Sequence, residues 1–303
     1  MRVKYEQPLV CNNSYKSILG QRPIWDWRHG KLLWIDIHEN KIIETDENIQ
    51  RENHYLFPEG VTNILLQDNE NYLMSSSDCL FSLHSSISKK QLLTKINFKN
   101  KSDRINDADI DINGQVWIST MDTKQQSDTG MIIGYNSNFD PIFKDGSYII
   151  SNGPIFDYER NIGYVTDSIK RIIYSFSIDD ISAHGFQKKI FLSLNDVDGN
   201  PDGMVVDKSG NLWVAMWGSG KVCCFDKNSN LKLILQLPVS KVTSCAFGGS
   251  NLNELYITTA SVGLNDIEAE RQPHAGKLFK FITQEQGYAS NCYRSENTSN
   301  LYH

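Results

Sequence analysis

The chain of 303 residues has no run of 18 consecutive apolar residues, which excludes a membrane-spanning helix of ordinary length. It has no basic stripe either. Its 30 Lys and Arg stand against 36 Asp and Glu, a net charge of −6, so the electrostatic footprint of a nucleic-acid binder is missing. The six cysteines, at 11, 79, 223, 224, 245 and 292, form no CxxC pair and no zinc-ligand spacing. Adjacent Cys223 and Cys224 are poorly placed to bridge, so free thiols in a reducing cytoplasm are expected. The N-terminal MRVKYEQPLV carries charge where a signal peptide needs an apolar centre. Helical periodicity is close to absent. No GxSxG elbow, no HExxH pair and no Gly-rich phosphate loop is found, which removes the serine-hydrolase, zinc-protease and P-loop readings.

What is present is a large apolar fraction, 40 %, arranged in a repeat. Each unit starts with a polar residue, continues as an apolar strand, turns through Gly, Asn and Asp, and resumes as an apolar strand 11 to 13 residues on. NDADIDINGQVWIST from Asn106 and DGMVVDKSGNLWVAMW from Asp202 show it most plainly. The six starts are Gln21, Thr62, Asn106, Asn152, Asp202 and Thr243, at intervals of 41 to 50 residues. Repeats of that length built from short strands predict an all-β, six-bladed β-propeller forming one domain over 1–303. Third strands are expected at 41–46, 79–84, 131–136, 171–178, 221–226 and 277–282, and fourth strands at 54–57, 186–194 and 231–237. Little follows residue 282 to complete the last blade, so the N-terminal VKYEQPLV is expected to supply its fourth strand and close the ring.

The first strand of a blade lies nearest the propeller axis. The six starting residues should therefore circle one mouth of the channel, with Asp202 facing Asn106, Asn152 and Gln21. Converging carboxylate and amide oxygens suit a hard divalent cation such as Ca²⁺, Mg²⁺ or Mn²⁺, or Zn²⁺ with oxygen ligands. The same residues also suit a water-filled channel with capped strand ends. Asp107 is expected to orient Asn106 or cap its strand, and Asp109, Asp111, Asp157 and Asp207 read as turn residues. Ser151 and Thr243 are candidates to hydrogen-bond a ligand, and Glu59 is a candidate for extra charge at the rim.

Four blocks in order carry a resemblance: RINDADIDINGQVWISTMD (104–122), SNGPIF (151–156), NPDGMVVDKSGNLWVA (200–215) and KVTSCAFGGSNLNELYITTAS (241–261). Together they resemble the gluconolactonase, luciferin-regenerating-enzyme and regucalcin family. That resemblance implies a six-bladed propeller and a divalent-metal-dependent lactonase acting on sugar lactones. It implies Asn152 and Asp202 as metal ligands, Asp202 also as general base, and Arg104 and Asn106 as substrate-binding groups.

The first blade departs from the family's GEGPxW, reading LGQRPIWDW (19–27). Gln21 stands where the family has its Glu ligand, and Arg22 where it has a Gly. Unit charges ~4 Å apart interact by ~4 kcal/mol at an effective dielectric of ~20. Desolvation of the carboxylate offsets part of that, so a neutral Gln21 implies a loss of about 1–3 kcal/mol in metal affinity. Arg22 is expected to add a cation near the mouth, repelling the metal or binding an anionic substrate group. Lys124, in MDTKQQSD (121–128), stands where the family often has an acidic residue, and with Arg22 it suggests an anionic group on the substrate. The leading reading is a lactonase with one divalent metal and a small-molecule lactone substrate, without nucleic-acid or membrane partners, as a cytoplasmic monomer or small homo-oligomer. The alternatives are a ligand-binding propeller whose metal site is weakened by Gln21 and, with less support, a protein-interaction propeller.

Overall fold

In the computed structural model, residues 3–11, 14–179, 181 and 187–294 are described, and they form six sheets in a ring, antiparallel within each blade, two of them extended by one parallel strand. The innermost strands are Gly20–Asp26, Asn63–Gln67, Asp103–Ile110, Ser151–Asp157, Asn200–Val206 and Val242–Gly248. Neighbouring blades cover both faces of each sheet, so most inner-strand residues are buried on either side, with Asp103–Ile110 keeping charged residues on one face. Asn63–Gln67 and Ser151–Asp157 are buried along their whole length.

The turn aspartates recur for a mechanical reason. Asp111 accepts the N–H groups of Asn113 and Gln115 and the indole N–H of Trp117. Asp207 does the same with Asn211 and Trp213. Each clamps its turn and fixes a buried Trp of the second strand, so the repeated DxxGxxW spacing is a folding device.

The expected third strands are found in all six blades. Of the fourth strands, Glu52–Leu56, Lys189–Ser193 and Leu231–Gln236 fall where expected, residue 186 lying outside the described residues. Lys90–Lys95 and Pro141–Tyr148 were not anticipated. Both are exposed outer strands, and their lysines and turn residues hide the apolar pattern.

The ring closes at the N-terminus. Leu9–Val10 pairs antiparallel with Phe279–Ile282 as the fourth strand of blade six. The expected single strand is split at Pro8. Lys4–Glu6 instead runs parallel to Leu231–Gln236 of blade five, because a proline cannot continue a ladder through its missing N–H.

The C-terminal segment forms a strap that the repeat did not reveal. Cys292–Tyr293 pairs parallel with Asn63–Gln67, the inner strand of blade two, at the end of the channel opposite the starting residues. The strap also takes Lys208 N–H on Gln286 O, Trp27 Nε1–H on Ser290 O, and gives Asn291 Nδ2–H to Ile110 O. Blades five, one and three are thereby tied across the lower mouth.

Candidate functional site

The starting residues face the channel because their strands are bulged there. Pairing with the second strand shifts register between Gln21 and Ile24, Ile105 and Asp107, Asn152 and Ile155, Pro201 and Met204, and Val242 and Ser244. A bulge inserts an unpaired residue and re-aims the side chain beside it. Blade two has no such shift. Its Thr62 Oγ1 is held in the wall by Ser75 Oγ and Ser76 O.

Four of the six starting residues meet in two pairs, Gln21 with Asp202 and Asn106 with Asn152. Gln21 Nε2 lies 3.3 and 3.4 Å from the two carboxylate oxygens of Asp202. Asn106 Nδ2 donates to Asn152 Oδ1 at 3.2 Å and to Ser151 O at 2.9 Å. Asn152 Nδ2 donates to Ser168 Oγ at 2.9 Å. Ser168 had no signal in the sequence beyond lying one residue past the second strand of blade four. Thr243 and Ser151 do not face a ligand. Thr243 Oγ1 donates to Gly20 O at 2.6 Å, sealing blade six to blade one, and Ser151 Oγ donates to Thr120 O at 2.6 Å, sealing blade four to blade three. Gly203, next to Asp202, allows a close wall: a Cβ there would stand 2.2 Å from Ser244 Oγ.

Asp202 is in an unusual electrostatic state. Burial, reinforced by the Asp107 carboxylate, pushes its carboxyl up to about 8, against the opposing pull of Gln21, the Gly203 N–H and Arg104. Arg104 is lowered to about 10 by burial, with Asp202 drawing it back. Its Nη1 donates to Ile105 O at 2.8 Å, and it makes no ion pair among the described residues. The guanidinium is therefore held by backbone, with its remaining donors uncommitted to any carboxylate.

Arg22 is not at the mouth. From a left-handed backbone (φ +48°) its guanidinium turns down the channel to blade three, 3.5 Å from Asp107 and 3.1 Å from Asp109. Asp109 is thus an ion-pair partner inside Asp103–Ile110 rather than a turn residue. Asp107 does more than cap: Oδ1 accepts Ala108 N–H and Oδ2 accepts the Gly153 N–H, both at 2.8 Å, fixing the backbone beside Asn152. The alternation in N-D-A-D, with 107 and 109 on one face, was the signal for this pair. Lys124 is exposed on the loop after Val116–Asp122, its backbone N–H on Asp122 Oδ1. Glu59 pairs with Lys90 on the outer strand of blade two and lends no charge to the ring.

The ring chemistry fits a hard divalent cation in donor type. The pairs Gln21–Asp202 and Asn106–Asn152 bring one carboxylate and three amide groups to the starts of four inner strands, and an amide rotated by half a turn exchanges its N–H₂ for oxygen. It is poor in charge. Among the described residues, no cluster of three or more His, Cys, Asp or Glu could hold a metal ion. On the other side of Arg22 a cavity of about 100 Å³ extends down to Tyr288 and Asn291 of the strap.

Comparison with known proteins agrees with this architecture. Residues 19–261 match the family described as SMP-30/Gluconolactonase/LRE-like region. The chain is 30% identical over 282 residues to "Putative sugar lactone lactonase YvrE" of Bacillus subtilis (strain 168), covering 92% of this chain and 96% of that protein. It is 25% identical over 279 residues to regucalcin of Xenopus laevis, covering 89% and 92%. Among solved structures, regucalcin from Agrobacterium tumefaciens str. C58, described as a calcium-binding protein, superimposes with a TM-score of 0.89 at 23% identity, over 97% of this chain and 99% of that one. With six blades, the ring at one mouth and a family match spanning residues 19–261, the chain belongs to the SMP-30/gluconolactonase/LRE-like family.

Proposed function

We propose that the protein hydrolyses sugar-type lactones at the upper mouth of the channel, with one divalent cation held by Asp202, Asn152 and Gln21. The observation that carries this is the pairing of Gln21 with Asp202 and of Asn106 with Asn152 at the starts of four inner strands, with Arg104 close enough to act on Asp202. The relatives' names point the same way. A bound cation supplies charge for the carbonyl oxygen as it becomes an oxyanion. Asp202 takes the proton of the attacking water as the new C–O bond forms. The ring C–O bond then breaks and Asp202 returns that proton to the leaving alkoxide, giving the hydroxy acid. Without a cation the buried Asp202 carboxyl holds its proton to about 8, and a divalent cation beside it would favour the ionised form that the transfer requires. Arg104 and Asn106 orient oxygens of the sugar ring, and Asp107 keeps Asn152 in place. The six free cysteines agree with work in a reducing compartment such as the cytoplasm.

The test is hydrolysis of a panel of sugar lactones, followed by proton release, using metal-stripped protein and then added Ca²⁺, Mn²⁺, Zn²⁺ or Mg²⁺. Cation-dependent turnover that disappears in Asp202→Ala supports the proposal. Full turnover by Asp202→Ala refutes it. One observation favours a second reading, a ligand-binding propeller without turnover: the ring's only carboxylate is Asp202, and Gln21 offers it N–H groups where a second carboxylate would make a stronger cation site. Lactone binding without hydrolysis under all four cations would establish that reading.

A further inference from the structure

The residues that follow the six starting residues are Arg22, Asn63, Asp107, Gly153, Gly203 and Ser244, and Asn63 is bonded to Ser75 Oγ within its own blade. Two of them are glycines, and Arg22 has the longest side chain of the six. Arg22 starts on blade one and ends on blade three, passing blade two. It lies as a bar beneath the oxygen ring, with the lower cavity on its other side. Only 15% of its side chain is exposed. Its backbone stands at φ +48°, a conformation that glycine adopts without strain and that an arginine keeps when its contacts hold it there.

The charge arrangement follows from this placement. Asp107 and Asp109 are two carboxylates below the ring, and Asp107 acts on Asp202 through space. Arg22 reaches both of them and is the only cation paired with either among the described residues. Charges in such a partly buried channel are weakly screened by salt. We infer that Arg22 is a fixed internal counter-cation: it floors the candidate site, offsets one of the two carboxylate charges it meets, and loosens the grip of the ring on a divalent cation. The inference rests on the proposed cation-binding role of the ring. It concerns how tightly the cation is held, which turnover alone does not report.

The experiment is calorimetric titration of Ca²⁺ into metal-stripped protein at pH 8, comparing wild type with Arg22→Gly, Arg22→Lys and Asp109→Asn. Glycine suits the left-handed backbone, so Arg22→Gly removes the charge without adding strain. Its dissociation constant is expected to fall at least tenfold, while Arg22→Lys stays within threefold of wild type. Asp109→Asn removes one of the two negative charges that Arg22 meets and leaves it paired with Asp107 alone, so the dissociation constant is expected to rise at least threefold. The inference is overturned if folded Arg22→Gly binds no more tightly than wild type, or if Asp109→Asn binds more tightly. Should Arg22→Gly fail to fold by circular dichroism, Asp109→Asn decides alone. Binding by wild type with no gain in Arg22→Gly sinks the inference and leaves the proposed cation dependence standing. Binding by Arg22→Gly with none by wild type upholds the inference and removes cation dependence from the native reaction. No binding by either removes both.

Discussion

Replacing Asp202 by Asn should make the metal-free protein more stable at alkaline pH while abolishing turnover. Burial raises the Asp202 carboxyl from 3.8 to about 8 in the folded protein. The unfolded chain gives up this proton near 4, and the folded protein holds it to about 8. Between those values the folded state binds more protons than the unfolded, so stability falls as pH rises through this window. Four units at about 1.4 kcal/mol each give a ceiling of about 5–6 kcal/mol, reduced by relaxation and water penetration to about 3–5 kcal/mol. Asn is nearly isosteric and carries no charge, so the variant escapes this loss. Asp109, Asp111 and Asp207 are also raised by burial, and the pH dependence of wild type alone is therefore a composite. The difference between wild type and Asp202→Asn isolates one group. The assay is thermal or urea unfolding of both proteins in EDTA at pH 4.5 and 8.5. The expected gain for the variant is about 3–5 kcal/mol at pH 8.5 and about 1 kcal/mol at pH 4.5. Adding Ca²⁺ or Mn²⁺ should stabilise wild type and leave the variant unmoved. A variant no more stable than wild type at pH 8.5, or a gap independent of pH, would refute the reasoning.

Other outcomes follow from the same geometry. Gln21→Glu should tighten divalent-cation binding by roughly tenfold to a hundredfold, measured by titration, because it places a second carboxylate beside Asp202. Gly203→Ala should destabilise the fold by about 1–3 kcal/mol in urea unfolding, since its new Cβ would overlap Ser244 Oγ. Tyr293→Ala should cost about 3–5 kcal/mol of stability by the same measurement. It empties a buried position of the strap, where the ring packs against Phe139 and the hydroxyl donates to Ser137 O. Turnover per folded molecule should be retained, as the strap lies at the opposite mouth.

The blade count, the axial position of Asn106, Asn152 and Asp202, and the turn aspartates at 111 and 207 were legible in the linear pattern. Each depends on local rules repeated six times, and repetition exposes them even where a single unit is ambiguous. The outer strands Lys90–Lys95 and Pro141–Tyr148 escaped because solvent on one side relaxes the demand for apolar residues. The strap escaped because Cys292–Tyr293 is only two residues long and belongs to no repeat.

What the sequence determined by itself is the framework: strand-turn-strand units at a fixed spacing, whose buried faces require neighbours and whose polar starts are carried to one axis. What only the tertiary structure decided is the direction and partnership of the side chains at that axis. A bulge breaks the two-residue alternation that lets strand faces be read from sequence, so Gln21, Arg22 and Pro23 could not be assigned to faces by counting. Arg22 meets Asp107 and Asp109 across 85 and 87 residues of chain. Ring closure brings them together, and no local pattern encodes it. The same closure buries Asp202 beside Asp107 and Arg104, and burial, rather than residue type, moves a carboxyl from 3.8 to about 8.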